Sequence, residues 1–429
     1  MTQQLSEVEA RVLAAVDADA MLAELADFVA IPSVVGTPEE AEAQRWCASR
    51  LKARGLTVDG WETPIDALRD EPDFPGMEVQ RSSVVGCVGV LGATDELPAL
   101  ALYGHTDVVP AGDLTAWTTD GPFRMRVEVG AAWGRGTCDM KGGIIAALAA
   151  IDAVRRSGVE LVHPLAVHCV SAEEDGGLGA YDTLRRGHRA AACISAEPTS
   201  GHLVPANAGA LTFRLEVPGL ATHGSTRTRG VSAIEKFERV HAALRELEAV
   251  RNAQAPPLFA HLDLAWPLSV GIVSSGDWAS TVPDLLVAEG RYGVRVDETV
   301  AEAIADFERH VNQVCAVDPW LRDNPVRVSW PGGLFAPGAL PDGHPLLGRL
   351  RAAVRDVTGE SPDALGGPYG SDLRHYVAAD VPTVQYGPGE ARFAHAADEH
   401  VLLADLSRCA RVYALMILRH CARGAASTS

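Results

Sequence analysis

Short apolar runs separated by Gly- and Pro-containing breaks mark the first half of the chain. Val84 to Leu91, Ala99 to Tyr103, Leu165 to Val170 and Ala191 to Ser195 are β-branched or apolar throughout, which predicts strands. Met140 to Arg156 reads as a helix stopped by Ser157-Gly158. Near the start, Ser6 followed by Glu9 makes a capping-box pattern ahead of good helix formers. Strands alternating with helices predict an α/β unit whose sheet is mixed but mostly parallel and flanked by helices. In such sheets binding residues gather at the carboxyl ends of the strands.

The pattern changes after Pro205. Ala210 to Val217 alternates, with Leu211, Phe213, Leu215 and Val217 on one side, as in a strand with one buried face. Ser232 to Val250 reads as a helix, Leu285 to Val296 as a strand and Thr299 to Val314 as a second helix. This order predicts an inserted α+β domain over residues 206–332, with one face of its sheet covered by helices. The Gly/Pro-rich stretch from Pro331 to Pro345 reads as the return. A helix from His344 to Val357, a Gly-rich loop, a strand from Pro382 to Tyr386 and a helix from Leu403 to Cys421 would then complete the first domain. That domain comprises residues 1–205 plus 333–429.

Composition narrows the function classes. A formal net charge of −19 argues against nucleic-acid or anionic-membrane partners, which require clustered Lys and Arg. The eight cysteines form no C-x-x-C pair and several lie in apolar runs, so they read as reduced, buried thiols. The acidic MTQQLSEVEA start lacks a signal-peptide pattern, and no apolar run is long enough to span a bilayer. A cytoplasmic location is expected.

Five runs carry candidate chemistry: GHTDVV from Gly104, GRGTCDMKG from Gly134, AEEDG from Ala172, Glu197-Pro198-Thr199, and AHAADEH from Ala394. Together they offer imidazoles, His105 and His395 among them, and a set of carboxylates at strand-to-loop boundaries, the donors that divalent ions take. Asp107 lies two residues beyond His105, on the same side of an extended segment, where it can hold the second ring nitrogen. Singly, each run has an ordinary explanation; Asp139, for instance, could cap the following helix. The five in order are much harder to explain away.

The ordered set resembles the zinc-dependent family that includes acetylornithine deacetylase, succinyl-diaminopimelate desuccinylase, aminoacylase and glutamate carboxypeptidase, over essentially the whole chain after the first helix. The resemblance implies two divalent ions, most simply zinc, with cobalt or manganese as substitutes. His105, Asp139 and Glu197 would bind one and Asp139, Glu174 and His395 the other. Glu173 would be the base acting on a metal-bridging water, and a cis peptide would follow Asp139. It also implies that residues 206–332 form a lid or dimerisation domain, hinged near Ala206 and Gly332. His223, in ATHGS, would stabilise the developing oxyanion, reaching across a homodimer.

The substrate-binding residues are less defined. Where many members have an Asn before Val-Pro, WASTVPD offers Ser280 or Thr281. Arg291 and Arg295, four apart and expected on one strand face, are candidates to grip a substrate carboxylate. GGPYGSDLR resembles the family's Gly-rich substrate loop and contributes Gly367, Ser371 and Arg374, while Arg392 stands just before His395. The pattern is similar to a less-characterised deacetylase-like branch. The expected activity is hydrolysis of an N-acyl amino acid or related N-acyl amine. A metallopeptidase acting on dipeptides or a C-terminal residue is the alternative, and a catalytically silent, ligand-binding member a remote one.

Overall fold

The computed structural model describes residues 5–71, 73–118 and 120–422. Within them the larger sheet has nine strands. Its centre runs Leu165–Val170, Leu100–His105, Cys193–Pro198 and Thr383–Gly387, all parallel. Antiparallel strands flank that centre: Ser83–Leu91 and Thr57–Pro64 on one side, Leu203–Asn207 and Gly338–Ala339 on the other. Ala364–Gly367 adds alongside Leu203–Asn207 in parallel.

Side chains alternate across each strand, so the sheet is covered on both faces. Next to Gly104, Ile144 of the helix Lys141–Arg156 leaves no room for a Cβ, whereas Tyr103 turns the other way and meets Tyr376 of the helix Leu373–Ala378. Lys141–Arg156 is nearly all buried because Leu403–Cys421 packs over it. A Cβ on Gly143 would stand 2.3 Å from the Ala196 carbonyl oxygen. Only glycine therefore lets this helix sit so close to the strand that carries Glu197.

The chain leaves this sheet after Asn207 and builds a five-stranded antiparallel sheet. Its order is Leu268–Ser275, Leu285–Val294, Gly209–Pro218 and Arg327–Ser329, with Leu334–Phe335 also paired to Gly209–Pro218. Leu211, Phe213, Leu215 and Val217 are buried, and the residues between them half-buried, as the alternation predicts. Helices Ala233–Asn252 and Val300–Val317 pack on this sheet; Ser232 caps the first and a Thr299–Glu302 capping box opens the second. These elements share a hydrophobic cluster of their own.

Several expectations meet their elements closely. The Ser6–Glu9 capping box is present, and Leu165–Val170 and Leu403–Cys421 have the expected bounds. One strand is shorter than expected: it ends at Val294, so Arg295 lies beyond it and shares no strand face with Arg291. All eight cysteines are buried and unpaired. Among the described residues no helix is long and apolar enough to cross a membrane.

Candidate metal centre

The central parallel strands deliver acid and imidazole groups to one end of the sheet. His105 is the last residue of its strand and Glu197 the penultimate residue of the next. Glu173 and Glu174 follow Leu165–Val170 after a short turn through Ala172, whose φ is +57°. Asp139 arrives differently, in the loop between the small strand Ala131–Trp133 and the helix Lys141–Arg156. It does not cap that helix; Met140 occupies the cap position, and the peptide between the two is cis.

Asp139 stands at the middle of the cluster. Its Oδ1 lies 3.1 Å from His105 Nε2 and its Oδ2 lies 3.5 Å from His395 Nε2. Glu197 Oε2 flanks the first imidazole at 3.9 Å, and Glu174 Oε1 the second at 3.0 Å. The Asp139 carboxylate thus turns one oxygen toward each imidazole. Glu173 lines the same cavity, and its carboxylate makes no hydrogen bond or ion pair among the described residues.

Asp107 has a different task from the one expected of it. The His105 Nδ1 hydrogen donates to the Asp107 backbone carbonyl at 3.0 Å, while the Asp107 carboxylate is 3.7 Å from that nitrogen. The carboxylate instead accepts the backbone amides of Glu173 at 3.3 Å and Glu174 at 3.1 Å. It is fully buried, and two amide donors satisfy it better than one distant ring nitrogen.

Two further acids hold the scaffold, and neither was singled out from the sequence. Glu399, buried at the end of the AHAADEH run, accepts the amides of Gly136, Cys138 and Asp139 at 2.9–3.0 Å and pairs with Arg135 at 2.8 Å. It fixes the loop that presents Asp139. Asp175 accepts the amides of Glu78 and Val79 and pairs with Arg81 at 2.9 Å, tying the 75–81 loop to the Glu173–Glu174 turn. A carboxylate's value here was hidden because its partners are backbone amides remote in sequence.

The electrostatics fit a cation site. Burial first, then the charges of Asp372 and Glu197, push Glu173 well above the ordinary carboxyl range, and burial also raises Glu174 and Glu197. Burial alone would raise Asp139 too, but hydrogen bonds from both imidazoles hold it far down. His395 is pushed up to about 10 by its bonds to Asp139 and Glu174. Without cations, this concentration of negative charge can be compensated only by holding protons. Ligand atoms of His105, Asp139 and Glu174 lie within 4.8 Å of one another, close enough to share one ion. Mixed imidazole and carboxylate donors are a set that divalent metals accept.

Two adjoining cavities open onto the cluster. One of about 210 Å³ holds Asp139, Glu197, Ser371 and His395; the other, of about 420 Å³, extends to the inserted sheet and holds Leu211, Ile272, Phe335 and Arg291. Glu173, Glu174, Tyr369 and Gly370 line both. Tyr369 also escaped the sequence reading, since nothing about a lone Tyr in a Gly-rich loop points inward.

The expected substrate residues divide. Arg291 faces the larger cavity, donating to the Pro368 carbonyl at 2.8 Å, and Ser371 faces the smaller one while donating to Asn207 Oδ1 at 3.0 Å. Gly367 packs against Asn207 and Tyr369, leaving no space for a Cβ. Arg374 is buried in the wall instead, donating to the carbonyls of Ser371 and Gly176 and stacked on Phe335. Arg295 pairs with Asp297, and Arg392 is exposed and paired with Glu390 at 2.6 Å, so neither guanidinium lines these cavities. His223 is exposed on the inserted unit, opposite Thr281 in a two-stranded ladder and bonded to Ser225. It lines neither cavity of its own chain.

Known proteins share both sequence and fold with this chain. The N-formyl-4-amino-5-aminomethyl-2-methylpyrimidine deformylase of Bacillus subtilis is 28% identical over 405 residues, 89% of each chain. The succinyl-diaminopimelate desuccinylase of Methylobacterium nodulans is 32% identical over 405 residues, covering 90% of this chain and 92% of the relative. Among solved structures, the yeast dipeptidase Dug1p superposes with a TM-score of 0.74 at 15% identity, covering 96% of this chain and 98% of that one. Human carnosine dipeptidase 1 gives 0.71 at 17%, covering 97% and 99%. A sequence profile of peptidase family M20/M25/M40 matches residues 101–419, a span that contains all five metal-ligand candidates. The chain belongs to this family of metal-dependent hydrolases of amide bonds.

Proposed function

We propose that the chain is a two-zinc deacylase that frees a small carboxylic acid from an N-acyl amino acid or a related N-acyl amine. His105, Asp139 and Glu197 hold one ion and Asp139, Glu174 and His395 the other; cobalt and manganese suit the same donors. The observation that carries this reading is the Asp139 carboxylate, which turns one oxygen to each imidazole. When bound, the ions polarise the amide carbonyl and make water acidic enough to lose a proton near neutral pH.

Glu173 is the base. It lies in the cavity, free of other bonds, in surroundings that favour its taking up a proton. It removes the proton from the attacking water and delivers it to the departing amine. Asp107, holding the amides of both glutamates, keeps Glu173 aimed into the cavity and Glu174 aimed at the metal. Arg291 grips a carboxylate of the substrate in two-pronged fashion, and Ser371 and the Gly367 turn shape the acyl side.

Residues 206–332 act as the lid and dimerisation domain of a homodimer, and a second copy supplies His223 to the oxygen on which charge builds. Support comes from the edge strand Leu268–Ser275, where Ile272 is 60% exposed, and from Trp278 at 72%. A reducing, cytoplasmic setting suits eight buried free thiols.

Both sequence relatives cited above carry deacylase names and match over nearly their full length, which favours deacylation over peptide cleavage. The test is a substrate screen with zinc-loaded protein. Release of formate, acetate or succinate from acylated amines, with dipeptides left intact, is the expected result. A profile restricted to dipeptides would replace the reading with a metallopeptidase, and bound metal without any hydrolysis would point to a silent member.

A further inference from the structure

Among the described residues, Glu173, Glu174, Tyr369 and Gly370 line both cavities. Two of these are carboxylates and one has no side chain, so the Tyr369 phenol is the neutral side-chain donor at the junction. Tyr369 is half-buried, and its hydroxyl makes no hydrogen bond among the described residues. After burial, the charges that act on it most are those of Glu197, Asp139 and Glu173, which sets it beside the metal cluster. His223, by contrast, lines neither cavity of its own chain.

The phenol is also held in place. The strand Ala364–Gly367 leads into its loop, and the Gly367 carbonyl accepts the Ala208 amide at 2.8 Å. A Cβ on Gly367 would stand 3.1 Å from Tyr369 Cζ and 2.4 Å from Asn207 Nδ2, so the bare Cα of Gly367 is the seat on which the ring rests. Arg291 donates to the Pro368 carbonyl just before Tyr369. Just after it, Ser371 donates to Asn207 Oδ1 and Tyr103 donates to Asp372 Oδ2 at 2.5 Å. A loop tied down on both sides presents its hydroxyl without the reorganisation that a water molecule would need.

We infer that Tyr369 is a further catalytic residue, whose hydroxyl donates a hydrogen bond to the carbonyl oxygen of the substrate amide as negative charge gathers there. The inference rests on the deacylase reading and deepens it. With the acyl group in the smaller cavity and the amine in the larger, the amide bond crosses the junction, where Glu173 and Tyr369 both stand. A phenol keeps its proton across the neutral range, so the donor needs no activation. No bond to Tyr369 forms or breaks: the proton lost by the attacking water travels through Glu173 to the amine. The hydrogen bond strengthens as the oxygen gains charge and so favours the transition state over the bound substrate. It is supplied within the chain, in addition to what a second copy brings with His223.

The test compares metal-loaded wild type with Tyr369→Phe, which removes only the hydroxyl oxygen, on N-formyl-, N-acetyl- and N-succinyl-L-methionine. The expected result is a fall of about 10²-fold in kcat, with KM within about threefold and metal content unchanged. A phosphinate with tetrahedral phosphorus in place of the scissile carbonyl carbon separates this role from a structural one. Its Ki should rise in Tyr369→Phe by about the factor lost from kcat/KM, while the Ki of the product methionine stays within about threefold. Near-normal kcat, a fall in kcat with unchanged phosphinate affinity, or loss of metal would each overturn the role of Tyr369 while leaving deacylation standing. No hydrolysis of any acyl compound by wild type would overturn the deacylase reading itself, and with it this inference.

Discussion

Glu173 and Glu174 are neighbours in the chain with opposite circumstances. Glu174 lies 3.0 Å from His395 Nε2, whereas the Glu173 carboxylate is unbonded in the cavity. Removing each group should leave a different signature. Glu173→Ala is expected to keep its metal and lose about 10²–10⁴ in kcat, while Asp139→Ala should lose metal, both read by metal analysis beside steady-state kinetics. Near-normal turnover in Glu173→Ala would refute its assignment as base. Glu399→Gln offers a subtler case. The amide acceptor survives but the Arg135 pair is weakened, so metal affinity should fall about 10–100-fold by competition with a chelator. The metal-ligand candidates were legible because each occupies a distinctive short run. The carboxylates that hold backbone amides were not, since their partners are defined only by the folded loops. Asp107 shows the limit: its proximity to His105 was readable, its bonding to Glu173 and Glu174 was not.

At the scale of elements, legibility followed length and burial. Leu165–Val170 and Leu403–Cys421 could be placed because their apolar content is dictated by burial against neighbours. The three-residue strands Arg126–Glu128, Ala131–Trp133 and His400–Leu402 carry too few positions for any period to emerge, yet they brace the loop that holds Asp139. Arg295 was misplaced for a related reason, because apolar Val296 extended the apparent strand past its true end. The strand Leu165–Val170 also contains a titration. His168 is buried, its Nδ1 is 2.8 Å from the Tyr376 hydroxyl, and burial pushes its pKa down to about 3. Between that value and the unfolded value near 6.5 the unfolded chain binds more protons, so stability falls as pH drops through this window. His168→Gln, which keeps a polar partner for Tyr376, should show a shallower loss of Tm between about pH 6.5 and 4 than wild type. Parallel pH profiles would show that His168 does not contribute.

For the whole molecule, the two sheets were foreseeable from the change in pattern after Pro205, but their mutual placement was not. The larger cavity draws its walls from both: Glu173 from one, Leu211 and Arg291 from the other. That joint construction is a tertiary property with no local signal. Assembly is the next level up. Because His223 lies away from its own cavities, inactive Glu173→Ala and His223→Ala chains mixed and allowed to exchange should recover activity, up to roughly a quarter of wild type when one of two sites in half the dimers is intact. Demonstrated heterodimers without recovery would count against a shared active site.

The pairing at the edge of the larger sheet has a consequence for the chain's history. Asn207 lies opposite Gly338 and Ala206 opposite Ala339, so the strand that departs and the strand that returns are adjacent rungs, about 5 Å apart. The intervening segment resembles a parenthesis whose two brackets already touch. A sentence of this form can lose, lengthen or exchange its parenthesis and still parse. Selection could thus revise the inserted sheet, and Arg291 with it, almost independently of the sheet end that carries the metal ligands.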